Sequence, residues 1–548
     1  MNKQFLFFAV FAFFIYTAPS SAADAEPVDY GPLESIGLLQ SDDTKSLGAG
    51  VYHNADRSDL TYLLKHINRS EWTYLQKTLR NYLITAADST VVNNDIPIES
   101  GQDLLTLRLT ALLRMGYNKE AFRLYNDASA YPLQEPIIRA GIFSMLLNKE
   151  KARACLEVKT SFSQNKNALF WQEANAYCTL SLSHDPIPEY DDVVKSSKKN
   201  IMKKVLSDDD FMFEYDTQSF KSLSFFERAI LIAEDRILVP NRDVHITKAI
   251  PPQHIASLLT QSKINDDTKS LLTVLAVKYG LKAESDLSAL YQSIIETDKN
   301  AKNSKNDWHR LAYLFNETKV GWLPKDRHSD IVNAFDIASK YDDSALLPFL
   351  PAIAKMDIGG GLNLPQAERA LKLFLYSEEP APKDWLEDLV ALTTNDDAEE
   401  NLRLKLLTAL SLMTNTKSKS LSAKVTEQVT KYLLSNEKTA ALKNIIENID
   451  TTQNNGDKVR YIETNGFDLD WNNSYTMPPY VVLKALDQAS KNQNMSVSLL
   501  LSGFILAKQN DENIYVGTID YIVNALNALG LKQQSHHLLA QTVMMMKN

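Results

Sequence analysis

Glycine and proline are scarce, 17 and 19 in 548 residues. Turn-rich β-sandwiches and barrels use far more of both, so the chain is expected to be helical. Cysteine is scarcer still. With only Cys155 and Cys178, neither a disulfide framework nor a cysteine-based zinc site is available. The nine histidines are scattered. Their one adjacent pair, His536-His537, points to different sides of a helix, and His245 and His254 flank a proline-rich stretch, where a core or surface role is expected. HExxH, GxSxG and GxxxxGK[ST] are all absent, so no established catalytic signature, cofactor or metal site is expected. Positive charge is not in excess: 58 basic against 68 acidic side chains leave a net charge of -10, which gives no overall attraction for nucleic acid. No transmembrane anchor is expected either, because the apolar run Phe5 to Ala18 has fourteen residues where a bilayer needs about 20.

That run is better explained as a targeting device. Lys3 precedes it and the small residues Pro19-Ser20-Ser21-Ala22-Ala23 follow it, the arrangement of a cleavable signal peptide over residues 1–22. The expected location is the periplasm, or the exterior. In such an oxidising compartment Cys155 and Cys178 are candidates for a disulfide, with two buried free thiols as the alternative.

What the sequence has in quantity is helical periodicity. Leu105, Leu109, Leu112 and Leu113, then Ala121, Leu124 and Tyr125, recur at steps of three and four, so two amphipathic helices fold back on each other around Gly116. The outline returns about 32 residues on, with Asn148 in the place of Gly116, and again near Gly530. Helical runs are expected over Glu135 to Leu147, Ser257 to Gly280 and Ala345 to Met356 among others, and most helical stretches are separated by three to seven residues, which forces antiparallel neighbours. The expected fold is all-α: antiparallel helical hairpins stacked as a curved α-solenoid, with little or no β-structure. An irregular cap (23–58) would precede an N-terminal helical-repeat region (59–238), a proline-containing connection (239–252) and a central helical-repeat region (253–449). A polar and aromatic loop (450–479) and a C-terminal helical region (480–548) would follow. Within that last region Met495 to Lys508 is apolar nearly all round and should be covered on several sides.

The spacing of Gly116 and Ala121, with Leu112 before and Leu124 after, resembles the second half of a tetratricopeptide-type repeat, and Gly530 and Ser535 repeat it. The resemblance implies stacked helix pairs. The chain is also similar to exported helical-repeat proteins of alphaproteobacteria, through Ser35 to Leu39, the LLRMGYNKEAFRLY turn and the FWxxxxAYC run at Phe170 to Cys178. That likeness brings no activity with it.

Two patches are candidates for binding a partner. Lys195, Lys198, Lys199 and Lys203 sit at helical spacing opposite Val194, Ile201 and Val205; an anionic surface could meet them, although a solvated lysine face is the ordinary explanation. Phe467, Trp471, Tyr475 and Tyr480 are interleaved with short polar residues, a composition suited to a sugar or peptide, or to folding over the end of a helical stack. The expected function is a non-enzymatic scaffold or adaptor for another envelope macromolecule, a protein in the first instance or a cell-wall component. The alternative is a cell-wall glycan hydrolase. Glu34-Ser35 followed by Gly37-Leu38-Leu39-Gln40 is similar to the Glu-Ser pair and GLMQ-like turn of lytic transglycosylases, and Glu284-Ser285 is a second such pair.

Overall fold

The computed structural model describes residues 31–546, apart from 71, 184–200, 241–243, 320–327, 378, 395, 415–418, 435–441, 443–444, 447–477 and 509–514. The expected signal peptide (1–22) and all but the last two residues of the expected loop at 450–479 lie outside the described residues.

Among the described residues the fold is all-α. The helices of eight residues or more are α1 Arg57–His66, α2 Thr73–Ile84, α3 Leu104–Arg114, α4 Asn118–Ala128, α5 Glu135–Leu147, α6 Lys151–Asn165 and α7 Leu169–Ser183. They continue as α8 Phe225–Ala233, α9 Asp266–Lys278, α10 Glu284–Thr297, α11 Asp307–Lys319, α12 His328–Ala338, α13 Leu364–Tyr376 and α14 Asp384–Ala391. The chain ends with α15 Asp397–Thr414, α16 Lys419–Leu433, α17 Tyr480–Lys491, α18 Met495–Ala507, α19 Val516–Ala528 and α20 Lys532–Met545. The one sheet among the described residues pairs Phe213–Glu214 with Ile237–Leu238 in parallel.

Helix starts follow from local chemistry. Asp103 Oδ1 accepts the Thr106 N–H at 2.7 Å and opens α3, and Ser224 with Glu227 forms a reciprocal cap on α8. The stops share one device. After α3, Gly116 takes φ of 83°, the Tyr117 N–H reaches the Leu112 carbonyl at 2.9 Å and the Gly116 N–H reaches the Leu113 carbonyl at 3.2 Å. A left-handed residue thus closes off the last carbonyls. The same pair of bonds ends α5 at Lys149, α8 at Asp235, α9 at Gly280, α17 at Gln493 and α19 at Gly530.

In four places the structure departs from the sequence reading. The left-handed residue of the second turn is Lys149, with φ of 63°, not Asn148. Asn148 stands one position earlier and its Nδ2 donates to the Ser144 carbonyl at 2.7 Å and the Asn118 carbonyl at 2.9 Å. An amide there bonds one carbonyl in the last turn of its own helix and one at the start of α4, which glycine could not do. Helix α1 begins inside the expected irregular cap, because Leu60, Leu63, Leu64 and Ile67 supply a buried stripe from residue 57 onwards. The expected helix from Ser257 to Gly280 is two, Pro252–Leu258 and α9, since Asn265 Oδ1 caps Thr268 at 2.8 Å and restarts the chain. The helix expected from Ala345 begins as a 3₁₀ turn, Asp343–Phe349, that contains Pro348; proline lacks the N–H that an α-helix would need there.

Consecutive hairpins stack: α3 on α4, α4 on α5, α5 on α6, α6 on α7, and likewise through α10 to α12 and α15 to α16. The stack also meets its own beginning. Helix α18 packs on α1 and α2, while α20 packs on α2, α13 and α15. Gly503 makes that approach possible, since a Cβ there would lie 2.3 Å from Leu79 Cδ1. Polar bonds finish the seam: Ser496 Oγ donates to the Val51 carbonyl at 2.7 Å and Asn494 Nδ2 to the Asn54 carbonyl at 2.8 Å. One continuous apolar core runs from Leu33 to Met544.

Candidate functional site

Chemistry-bearing residues concentrate first around the N-terminal segment that carries Glu34. Arg108 of α3 is fully buried, and its guanidinium donates to the carbonyls of Leu83 (2.7 Å), Ile36 (2.8 Å), Thr85 (3.0 Å) and Glu34 (3.1 Å). One side chain therefore fixes both the end of α2 and the SIGLL stretch. Glu34 is 2% exposed. Its carboxylate takes a paired fork from Arg57, with Nη2 to Oε2 at 2.9 Å, and accepts the Leu104 N–H at 2.8 Å. A group bonded in this way holds the N-terminus of α3 and cannot reach a glycosidic oxygen. Glu284 lies half-buried in the first turn of α10.

Beside this knot, Asp59 is buried in the first turn of α1, with no hydrogen-bond partner at Oδ1. Burial pushes its carboxyl up to about 8, and the charges of Asp56 and Asp95 add to the effect. The neighbouring carboxylates are committed elsewhere: Asp95 Oδ1 accepts the Ser58 N–H at 3.0 Å and Asp56 Oδ1 accepts the Asn93 amide. Among the described residues no group of histidine, cysteine and carboxylate side chains could hold a metal ion.

Cys155 and Cys178 are joined by a disulfide, with Cα atoms 5.3 Å apart. Helix α6 runs to Asn165 and α7 starts at Leu169, so the turn is centred between them and both cysteines stand at the same height in the hairpin. Of the basic group, Lys195, Lys198 and Lys199 lie outside the described residues. Lys203 is exposed on a short helix, Ile201–Ser207, whose other side buries Ile201, Met202 and Val205. Phe467, Trp471 and Tyr475 also lie outside the described residues. His254 is a core residue: its Nδ1 meets the Tyr215 hydroxyl at 2.8 Å, and burial, then the charges of Arg228 and Lys221, hold it down to about 4.

Tyr480 is 65% exposed and belongs to a patch that periodicity alone does not reveal. Helices α17 and α19 pack along each other, and the Gln493 amide donates to the Ala528 carbonyl at 2.8 Å, tying their C-terminal ends together. Their N-terminal ends therefore share one end of the bundle. There Tyr480, Val481 (54% exposed) and Tyr515 (40% exposed) present aromatic and branched side chains to solvent. The seam between chain ends carries a separate, half-open cavity of about 610 Å³, lined by Lys45, Tyr74, Lys77, Asn81 and His537 among others. Its walls are partly bonded to each other: the Tyr74 and His537 rings stack at 4.3 Å and Lys77 donates to the Tyr376 carbonyl.

Comparison with protein-family models, with curated proteins and with solved structures finds no match to this chain.

Proposed function

We propose that this protein is an exported, non-enzymatic helical scaffold that binds another protein of the envelope through the end of its C-terminal bundle. The observation that carries the proposal is the exposure of Tyr480 and Val481 in the first turn of α17 and of Tyr515 just before α19, at the N-terminal ends of two helices that bury their other faces. Tyrosine gives a wide contact area at small entropic cost, and protein interfaces are enriched in it. The partial tetratricopeptide-like spacing around Gly116 and Gly530 agrees with a binding role. A glycan hydrolase built on Glu34 is disfavoured, because that carboxylate is fully engaged by Arg57 and the α3 N-terminus.

A photo-crosslinking residue at position 480, in the intact exported chain, tests the proposal. The captured protein, purified and recombined, should bind the wild type and lose about thirtyfold in affinity to a Tyr480→Ser/Val481→Ser variant, roughly 2 kcal/mol for two truncated contact residues. Equal binding by the variant, or a crosslink to cell-wall glycan in place of protein, counts against it. Release of muropeptides from purified wall, abolished by Glu284→Gln, would revive the hydrolase.

A further inference from the structure

A second opening in the molecule lies far in sequence from the C-terminal bundle, between α3, α5, the end of α1 and the start of α8. It is a cleft of about 560 Å³, within the range of roughly 300–1,000 Å³ in which small-molecule sites fall. Its floor is apolar, with Leu107 of α3, Phe143 of α5 and Phe225 of α8, the two rings edge-to-face at 4.8 Å. Its charged lining is of one sign. Among the described residues Lys65, Arg114 and Arg139 line it and no carboxylate does, in a protein whose net charge is -10.

The cations are arranged with little compensation. Arg114 has no carboxylate partner among the described residues; its Nη1 donates to the Ile67 carbonyl at 2.8 Å and its Nη2 to the Leu64 carbonyl at 3.4 Å, both at the C-terminal end of α1. Burial depresses its ionisation from the usual range, which is the mark of a desolvated positive charge. Arg139 lies 3.6 Å from Glu135 at its nearest, a loose contact on an arginine that is 44% exposed, and Glu135 already accepts the Trp171 indole N–H at 2.9 Å. Lys65 is exposed at the mouth.

Hydrogen-bonding groups for an uncharged polar ligand are few. The two threonine hydroxyls that line the cleft are turned back into α3: Thr110 Oγ donates to the Thr106 carbonyl at 2.7 Å and Thr106 Oγ to Asp103 Oδ2 at 2.6 Å. The Gln102 amide bonds Glu99. A sugar or a nucleoside would bury many of its hydroxyls and ring nitrogens against the apolar floor without partners, which is unfavourable. An aliphatic chain has no such groups. Its transfer out of water is favourable for every methylene buried.

We propose that this cleft binds a long-chain carboxylate: the hydrocarbon lies over Leu107, Phe143 and Phe225, and the anionic head meets Arg139, Lys65 and the outer face of Arg114. The site is separate from the Tyr480 patch, so either proposal can fail without the other. It also supplies the charge that Arg114 lacks, since a carboxylate accepts two guanidinium N–H groups at once.

The test is titration of the full chain with laurate below its micelle concentration, followed by calorimetry and by displacement of a fluorescent fatty acid. One laurate per chain should bind. Arg139→Gln combined with Lys65→Gln should weaken binding about tenfold, and Thr110→Trp, an exposed position on the wall, should block it. Dodecyltrimethylammonium, with the same chain and the opposite charge, should not displace the probe. Arg114 is left in place because it caps α1, and circular dichroism melts of each variant confirm folding. No laurate binding, equal displacement by the cationic amphiphile, or full affinity in both variants would each overturn the proposal.

Discussion

Replacing Asp59 by asparagine isolates the most perturbed carboxyl near the start of α1. Two effects compete at that position. The helix N-terminus favours a negative charge by up to about 2 kcal/mol, whereas burial, reinforced by Asp56 and Asp95, raises the carboxyl from 3.8 to about 8. At about 1.36 kcal/mol per unit, the net preference for the neutral acid is roughly 6 kcal/mol. The native state therefore keeps the proton between pH 4 and 8 while the unfolded chain has released it. Stability supplied by that proton is fully present below pH 4, falls as pH rises, and is gone above about pH 8. Asparagine imitates the neutral acid at every pH. Urea unfolding followed by circular dichroism should find wild type and Asp59→Asn equally stable near pH 4, with the variant ahead by about 4 kcal/mol at pH 7. His254 works in the other direction: held at about 4, it is neutral in the fold and costs stability as pH falls from 6.5 towards 4. Taking the difference between the two proteins cancels that term. A difference that does not grow with pH, or a variant weaker than wild type at pH 7, would refute the reasoning.

Gly116→Ala should cost more than Gly530→Ala. Both glycines have positive φ, 83° and 76°, but a Cβ at 116 would sit 2.8 Å from Gln253 Cα while none of the described residues lies within 4 Å at 530. The expected losses in urea unfolding are about 1 kcal/mol at 530 and well beyond 2 kcal/mol at 116, and equal losses would contradict the close approach. Cys155→Ser/Cys178→Ser should lower stability by about 3 kcal/mol, the loop-closure value for a bridge spanning 23 residues; two alkylatable thiols in the unreduced protein, read by intact mass, would reject the bond. A chain ending at residue 477 should lose cooperative unfolding and aggregate, because α1, α2, α13 and α15 lose the helices that cover them. An open solenoid would survive that deletion, so a truncated chain with an unchanged urea midpoint would count against the closure.

The legibility of the fold follows the range of the interactions involved. Helix α5 was expected over residues 135–147 and occupies them, since Gln134-Glu135-Pro136 at its start and an apolar run within it act over a few residues. The stop at Gly116 was legible for the same reason. Lys149, Asp235 and Gln493 stop helices equally well, yet as polar residues with side chains they carry no local mark of a left-handed backbone. Buried polar knots are less legible still. Arg108 looks like one more basic residue on a helix, and only the arrival of Leu83, Thr85, Glu34 and Ile36 around it makes it a fastening.

The sequence by itself determined that the chain is helical, where helices such as α3 and α5 end, and that Met495 to Lys508 must be covered on several sides, because each of these depends on residues within about four positions of one another. Tertiary structure alone decided what does the covering. Helices α1, α2, α17 and α19 surround α18, and bonds such as Asn494 to Asn54 join positions more than 400 residues apart. Apolar stripes are interchangeable in composition, so a stripe records that it must be buried but not against which partner; shape, set by details such as the missing Cβ of Gly503 against Leu79, selects one.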